Sequence, residues 1–418
     1  MKRQIWLAVF LVIHGLFSGE SLNAQIPHLS REEAKHFRKI SNEAFNAPVD
    51  LSASPYHLAR YLTRHTKNDM EKVRAFYVWI ANNITYDMKS FQAGLYPDFH
   101  PRAVLKEKKA VCEGYARLMQ ALCIEADIKC EIIRGYSKGY GYRTGQSFST
   151  SNHSWNAVEI DGEWQLVDAT WAATRTNTSK VKLPLSNHYF FTHPQTFLLD
   201  HLPEVPMWQM VSNPISLEDF ESGDRAIQLK LSGKGDYHYR DSLKVFMSMN
   251  ASDRILDYQK RASVFNPKNT GANYHRGVEY LYRGLDSLEL LDQVQDADID
   301  TAIPYLEKRV FSMLQEAAFH FSGIRPSSPY YESAQNFLDE TIYDRGVFKY
   351  EAAIRLIDIY REFDPSKKKT SFKRYESLVN RYFEEAKIYF QQVPFDSWFH
   401  DQAKSYINYY LDKKFAEL

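Results

Sequence analysis

Cysteine is scarce in this chain, charge of either sign is in no surplus, and one hydrophobic run alone stands out. The 418 residues hold three cysteines, Cys112, Cys123 and Cys130, all within 19 positions. That is too few for a disulfide-stapled scaffold, and the odd count leaves at least one free thiol. Cys123 and Cys130 could pair, or both could be buried free thiols; the sequence leaves both readings open. Lys plus Arg equals 52 and Asp plus Glu equals 52. This balance argues against a broad electrostatic footprint for nucleic acid or anionic lipid. There is no His-Glu-x-x-His and no Cys-x-x-Cys, so neither common zinc signature is present.

The hydrophobic run lies at the start. Lys2 and Arg3 precede the unbroken apolar stretch Ile5 to Ile13, and Ala24 is a small residue suited to a cut before Gln25. The run is too short to span a bilayer comfortably and reads as a cleaved signal peptide over 1–24. No cysteine follows it, which argues against a lipoprotein anchor. The expectation is an exported protein, secreted or periplasmic, with no stable membrane insertion.

What is abundant is ordinary core material. Hydrophobic residues make up 44% of the chain and charged residues 25%, as in soluble globular proteins. Length alone suggests two or three domains. Arg31 to Asn46 reads as a short polar helix, with further helices over Pro55–Thr63 and Lys67–Ile84. In the last, Val73, Phe76, Tyr77, Ile80 and Ile84 recur at steps of three and four, and Trp79 extends the stripe. Val111 to Ala126 is a stronger helix whose buried face is Tyr115, Leu118, Met119, Leu122 and Cys123. Lys129 to Tyr136 has strand composition, and 139–152 reads as loop. Two strand-like runs then flank Asp161-Gly162, the strongest short hairpin signal. Loop and weak strand are expected over 213–237.

Beyond that, helical periodicity returns near 272–293, 301–321, 330–342, 347–363, 372–392 and 395–411. Phe372, Tyr375, Val379, Tyr382, Ala386 and Tyr389 share one face. The aromatics, 15% of the chain, are most simply core of an all-α C-terminal domain. Asn266-Pro267-Lys268-Asn269 with Tyr274 and Gly277 faintly suggests a repeat, but no clean 34-residue period appears. The expected division is 25–215 catalytic, 216–250 connecting and 251–418 helical. The expected class is α+β, a cysteine-bearing helix packed on antiparallel sheet, followed by the helical domain.

A nucleophilic cysteine needs a helix tip or cation to favour the thiolate, a base within reach, and a group to hold that base. Cys112 begins a predicted helix, where the dipole favours the thiolate and backbone N–H groups could face an oxyanion. A two-residue turn at Asp161-Gly162 pairs Ile160 with Glu163 and brings Trp155 opposite Asp168. His153 then lies two residues away on the same face, a diagonal neighbour of Asp168. A carboxylate there can hold one imidazole nitrogen and leave the other for the thiol.

Three segments, Val111-Cys112-Glu113-Gly114-Tyr115-Ala116, Asn152-His153-Ser154-Trp155-Asn156 and Val167-Asp168-Ala169-Thr170-Trp171, resemble the transglutaminase-like superfamily. Trp79-Ile80 and Ile84-Thr85-Tyr86-Asp87 resemble the helix that precedes the cysteine there. Tyr189-Phe190-Phe191-Thr192-His193-Pro194 and Pro206-Met207-Trp208-Gln209 look like the tail of its kyphoscoliosis-peptidase-like branch. The resemblance covers about 60–215. It implies a papain-like triad of Cys112, His153 and Asp168, and a papain/transglutaminase-like core. One departure is Ala110, where many relatives have glycine. Trp155, Trp171 and Tyr86 are expected to line the cleft, Trp155 and Trp171 serving as wall or core filler. Tyr86 and Gln92 are conceivable aids to the oxyanion.

The resemblance, to a family of protein crosslinkers, amide hydrolases and inactive relatives, implies amide chemistry through a thioacyl intermediate; because an exported enzyme meets water in great excess, hydrolysis is favoured over transamidation. Cell-wall peptides, secreted proteins and peptidyl tags all fit as substrates. No cofactor and no metal are expected, although Cys112, His153 and Asp168 are ligand types that zinc accepts. The alternative is a catalytically inactive binding or scaffolding module.

Overall fold

The structure is a computed structural model. It describes residues 30–411 except 49–53, 94–96, 140, 175, 177–182, 296–298 and 363–367, and leaves aside the side chains of 360–375 and 409–411. The expected signal segment, 1–24, lies outside the described residues. The chain divides into two compact units, Met1–Leu243 and Lys244–Leu418.

The first unit opens with helices α1 (Arg31–Phe45), α2 (Pro55–Thr63) and α3 (Asp69–Asn83). Ser30, Ser54 and Asn68 cap them through side-chain oxygens, and Ser30 with Glu33 forms a full capping box. Helix α3 is buried all round, from Val73 through Ala81, which is the pattern of a helix inside a core. Even Arg74 is buried. It donates to Ser41 Oγ at 3.0 Å and to Asn187 Oδ1 at 2.5 Å, and its guanidinium lies 5.1 Å from the Phe190 ring.

Strand β1 (Thr85–Tyr86), helices α4 (Met88–Ala93) and α5 (Pro101–Glu107), and strand β2 (Lys109–Ala110) lead into α6 (Cys112–Ile124). β1 and β2 pair in parallel, Tyr86 beside Ala110. Tyr115, Leu118, Met119, Leu122 and Cys123 of α6 are all within 1% of complete burial. Complete burial of such side chains stabilises by roughly 1.5–3 kcal/mol each. Among the bonds that tie α6 down, Tyr115 Oη donates to Ile84 O at 2.6 Å, Gln120 Nε2 to Cys130 O at 2.8 Å, and Asn156 Nδ2 to Ala116 O at 3.0 Å.

The sheet contains β3 (Cys130–Ser137), β4 (His153–Ile160), β5 (Glu163–Val167), β6 (Phe190–Thr192) and β7 (His201–Pro203) in the order β6-β5-β4-β3-β7. All of its pairings are antiparallel. Asp161 and Gly162 have φ of 52° and 81°, the two positive angles of a type I′ turn. Ile160 pairs with Glu163 and Asn156 with Val167. The fold is thus α+β, with the cysteine-bearing helix on a mostly antiparallel sheet.

The stretch expected as loop and weak strand is instead helical: α8 (Leu217–Glu221) and α9 (Asp224–Ser232) follow the short α7 (Pro194–Phe197), and α10 (Tyr239–Ser248) crosses the unit boundary. Local chemistry explains α8, since Ser216 and Asp219 form a capping box and Phe220 is its buried anchor. Helices this short show too little periodicity to read.

The second unit is helical: α11 (Ala251–Phe265), α12 (Thr270–Leu288), α13 (Ile299–Ser322), α14 (Tyr331–Glu362), α15 (Lys368–Gln392) and α16 (His400–Ser405). Consecutive members from α11 to α15 pack on each other. Helix α14 is one helix where two were expected. Gly346 sits inside it, and a Cβ there would lie 2.7 Å from the Phe390 ring. Glycine costs the helix about 1 kcal/mol, and the close aromatic packing offsets it. On α15, Val379, Tyr382 and Ala386 are buried, as one apolar face requires.

Candidate active site

Cys112 occupies the first position of α6 and is partly exposed, whereas Cys123 and Cys130 are buried. All three are free thiols. Val111, at the N-cap, offers no side-chain bond to the first turn. The positive end of the helix therefore bears on the sulfur undiluted by a capping side chain. Gly114 makes room for this entry: a Cβ on it would lie 2.6 Å from Ala110 Cβ. The methyl group that replaces the glycine of many relatives is thus accommodated from across the turn.

His153 opens β4, opposite Gly135 of β3, and Asp168 follows the last residue of β5. His153 Nε2 stands 2.8 Å from Asp168 Oδ2, with both side chains buried. Cys112 is among the groups that act on the His153 ring. With Nε2 facing Asp168 Oδ2, Nδ1 is the ring nitrogen left for a thiol. Burial alone would lower the His153 pKa, but the Asp168 charge and hydrogen bond, with a smaller contribution from Cys112, push it up to about 10. Burial would raise the Asp168 pKa, yet His153 and His201 hold it well below the usual carboxylate range. Its Oδ1 accepts from the backbone N–H groups of Thr170 at 2.6 Å and Trp171 at 3.2 Å. Cys112, His153 and Asp168 are thereby brought into one chain.

Two contributors escaped the sequence reading. His201, the first residue of β7, has no exposed surface and places Nε2 3.1 Å from the same Asp168 Oδ2. Glu113, next to the cysteine, accepts from Arg134 Nη2 at 2.6 Å, Arg117 Nε at 2.9 Å and Ser154 Oγ at 2.9 Å. Burial opposes its charge, but the two guanidiniums bring its pKa down to about 2. The residue after Cys112 is thus clamped to the residue after His153. The available signal was a carboxylate beside the nucleophile with Arg at i+4.

The expected cleft residues separate. Trp155 is 1% exposed, so it fills core and does not wall a cleft. Gly135 makes room for it: a Cβ there would meet the Trp155 ring at 2.6 Å and Leu202 O at 2.1 Å, so only glycine fits between the indole and β7. Trp171 is partly exposed, its ring 5.8 Å from His153. Tyr86 is partly exposed too; burial first, then the nearby Cys112 and Asp168, push its phenol well above its ordinary pKa. It stays a neutral hydroxyl near the sulfur. Gln92 lies exposed on α4.

His153, Asp168 and His201 present ligand-type atoms within 4.8 Å of one another. An ionised carboxylate only accepts hydrogen bonds, so the two ring nitrogens that face Oδ2 are donors. A metal would need those nitrogens as lone pairs aimed at the ion, so the geometry suits a hydrogen-bonded group and not a ligand set.

A model of the transglutaminase-like superfamily matches residues 56–169. Mouse kyphoscoliosis peptidase is 39% identical over 189 residues, 44% of this chain and 28% of that protein. The LIM and transglutaminase domain protein ltd-1 of Caenorhabditis elegans is 28% identical over 294 residues, 56% of this chain and 40% of its own length. Hillarin of Drosophila melanogaster is 32% identical over 200 residues, covering 44% and 24%. A solved structure of a TGase aligns over 44% of this chain and 41% of its own, at 15% identity and a TM-score of 0.23. The chain spans less than a third of the kyphoscoliosis peptidases that it matches. The family-model match and the three ordered motifs identify residues 56–169 as a domain of the transglutaminase-like superfamily, similar to the kyphoscoliosis peptidases.

Proposed function

We propose that the chain is an exported cysteine enzyme that acts on amide bonds of peptides or proteins through a thioacyl intermediate, with hydrolysis favoured over transamidation. The observation that carries this reading is the buried His153 Nε2 to Asp168 Oδ2 contact at 2.8 Å, with Cys112 near enough to act on the ring. With its pKa near 10, His153 holds a proton at neutral pH, and an imidazolium beside the sulfur favours thiolate.

The thiolate attacks the amide carbonyl and forms a C–S bond. Backbone N–H groups at the start of α6 and the Tyr86 hydroxyl are the donors available to the oxyanion. His153 gives its proton to the departing amine or ammonia as the C–N bond breaks. It then takes a proton from water, which attacks the thioester, releases the acid and returns the thiol. An amine in place of water would give transamidation; outside the cytosol water is in great excess.

The test is product release from peptide and protein libraries, wild type against Cys112→Ala, with ammonia and new N-termini measured together. Cys112-dependent hydrolysis products are expected. Equal output from both proteins would leave the scaffolding alternative in possession. Export rests on the N-terminal apolar run and is checked by sequencing the mature N-terminus, expected at Gln25.

A further inference from the structure

We propose that His201 is a positioning residue of this site: it shares Oδ2 of Asp168 with His153 and, held by Asp200 through its other ring nitrogen, sets how strongly Asp168 draws the proton onto His153. The inference rests on the functional reading above.

His201 has carboxylates at both ends. Its Nδ1 lies 2.6 Å from Asp200 Oδ1 and its Nε2 3.1 Å from Asp168 Oδ2. Carboxylates thus hold the ring at both nitrogens. Aromatic side chains pack around it. The ring stacks on Phe197 with centroids 4.2 Å apart and lies 4.3 Å from Trp171, with Trp155 and Tyr189 at 5.2 and 5.4 Å. Asp200 is fixed in turn, since Tyr189 Oη donates to its Oδ2 at 3.0 Å. Backbone pairing sets the position: Ser137 of β3 pairs with His201, while Gly135 pairs with both His153 and Pro203. The titratable groups facing His201 are therefore Asp168, Asp200, His153 and Tyr189.

The consequence follows from one oxygen serving two donors. Oδ2 gives His153 less than its full hydrogen-bonding capacity, because His201 Nε2 shares the same oxygen at 3.1 Å, with the two rings 5.3 Å apart. His201 thus keeps Asp168 ionised and oriented while restraining its grip on His153, so that the ring can release its proton to a leaving amine. Removal of His201 leaves Oδ2 wholly to His153 and makes the imidazolium more persistent.

The experiment needs no known substrate. Iodoacetate alkylates the Cys112 thiolate of the full chain, followed by mass spectrometry on the peptide containing Cys112. This anionic reagent is drawn by the neighbouring imidazolium, so its rate falls on the alkaline side as His153 loses its proton. Neutral iodoacetamide, run in parallel, lacks that fall. His201→Phe keeps an aromatic ring but no donor. It is expected to move the alkaline midpoint up by about one pH unit, and Asp200→Asn to move it the same way by less. A bell-shaped profile in the wild type with an unmoved alkaline limb in His201→Phe overturns the proposal. If that variant does not fold, Asp200→Asn decides on the same criterion. A wild type with no alkaline fall overturns this proposal together with the functional reading, so the two failures are distinguishable.

Discussion

At the start of α6 stands Cys112, and near it lies a ring whose Nε2 is fixed by Asp168. Replacing His153 with alanine should lower Cys112-dependent turnover by at least about a hundredfold, the usual scale of a lost acid–base group. Asp168→Asn should act in the same direction through the ring it orients, with kcat measured on whichever peptide the library yields. Trp155 belongs to a different category. It is buried, and its indole nitrogen has no hydrogen-bond partner among the described residues. Trp155→Ala should cost about 3–5 kcal/mol in denaturant unfolding, whereas Trp155→Phe should cost less.

At the scale of elements, the site is a meeting of one helix tip with three neighbouring strands and the residue just past β5. Gly135, central among those strands, tolerates no side chain: its Cβ would strike the backbone of β7 and the Trp155 ring. Gly135→Ala should therefore destabilise by roughly 1–3 kcal/mol and lower the thermal midpoint, with loss of Cys112 reactivity as the strands spread.

What the sequence made legible follows the same scale. The Asp161-Gly162 turn could be read because a two-residue loop permits arithmetic on side-chain alternation, and that arithmetic places His153 near Asp168. β7 has three residues, too few for any alternation, so His201 could not be told from thirteen other histidines. Helices α8 and α9 were missed for the same reason. Helix α14 is the opposite case: two helices were expected, but one runs unbroken through Gly346, where the Phe390 ring takes the space of a side chain.

Across the first unit as a whole, ionisation ties chemistry to stability. Glu113 connects α6 to β3 and β4, and its pKa falls from 4.5 unfolded to about 2 folded. A depressed carboxylate contributes stability above its unfolded pKa and loses it as pH falls through the folded one. The contribution, on the order of 3 kcal/mol before allowance for screening, should be complete above about pH 5 and vanish toward pH 2. Glu113→Gln should flatten that acid limb in urea titrations between pH 3 and 6, and a limb of unchanged steepness would count against the clamp. His153 has the opposite sign. Its raised pKa contributes stability in full below 6.5, and that contribution disappears as pH rises through about 10.

The hairpin turn has one last consequence. β3 holds His153 from one side, so the length of the loop at 161–162 governs β5 and Asp168 alone. Counting there is a matter of odd and even. One inserted residue that slid β5 along its partner would swap the faces of that strand and send the carboxylate to the far side, with the sulfur and the imidazole unmoved. Two inserted residues that bulged outward would preserve parity. The placing of Asp168 is therefore sensitive to a single added codon at the end of the hairpin opposite His153.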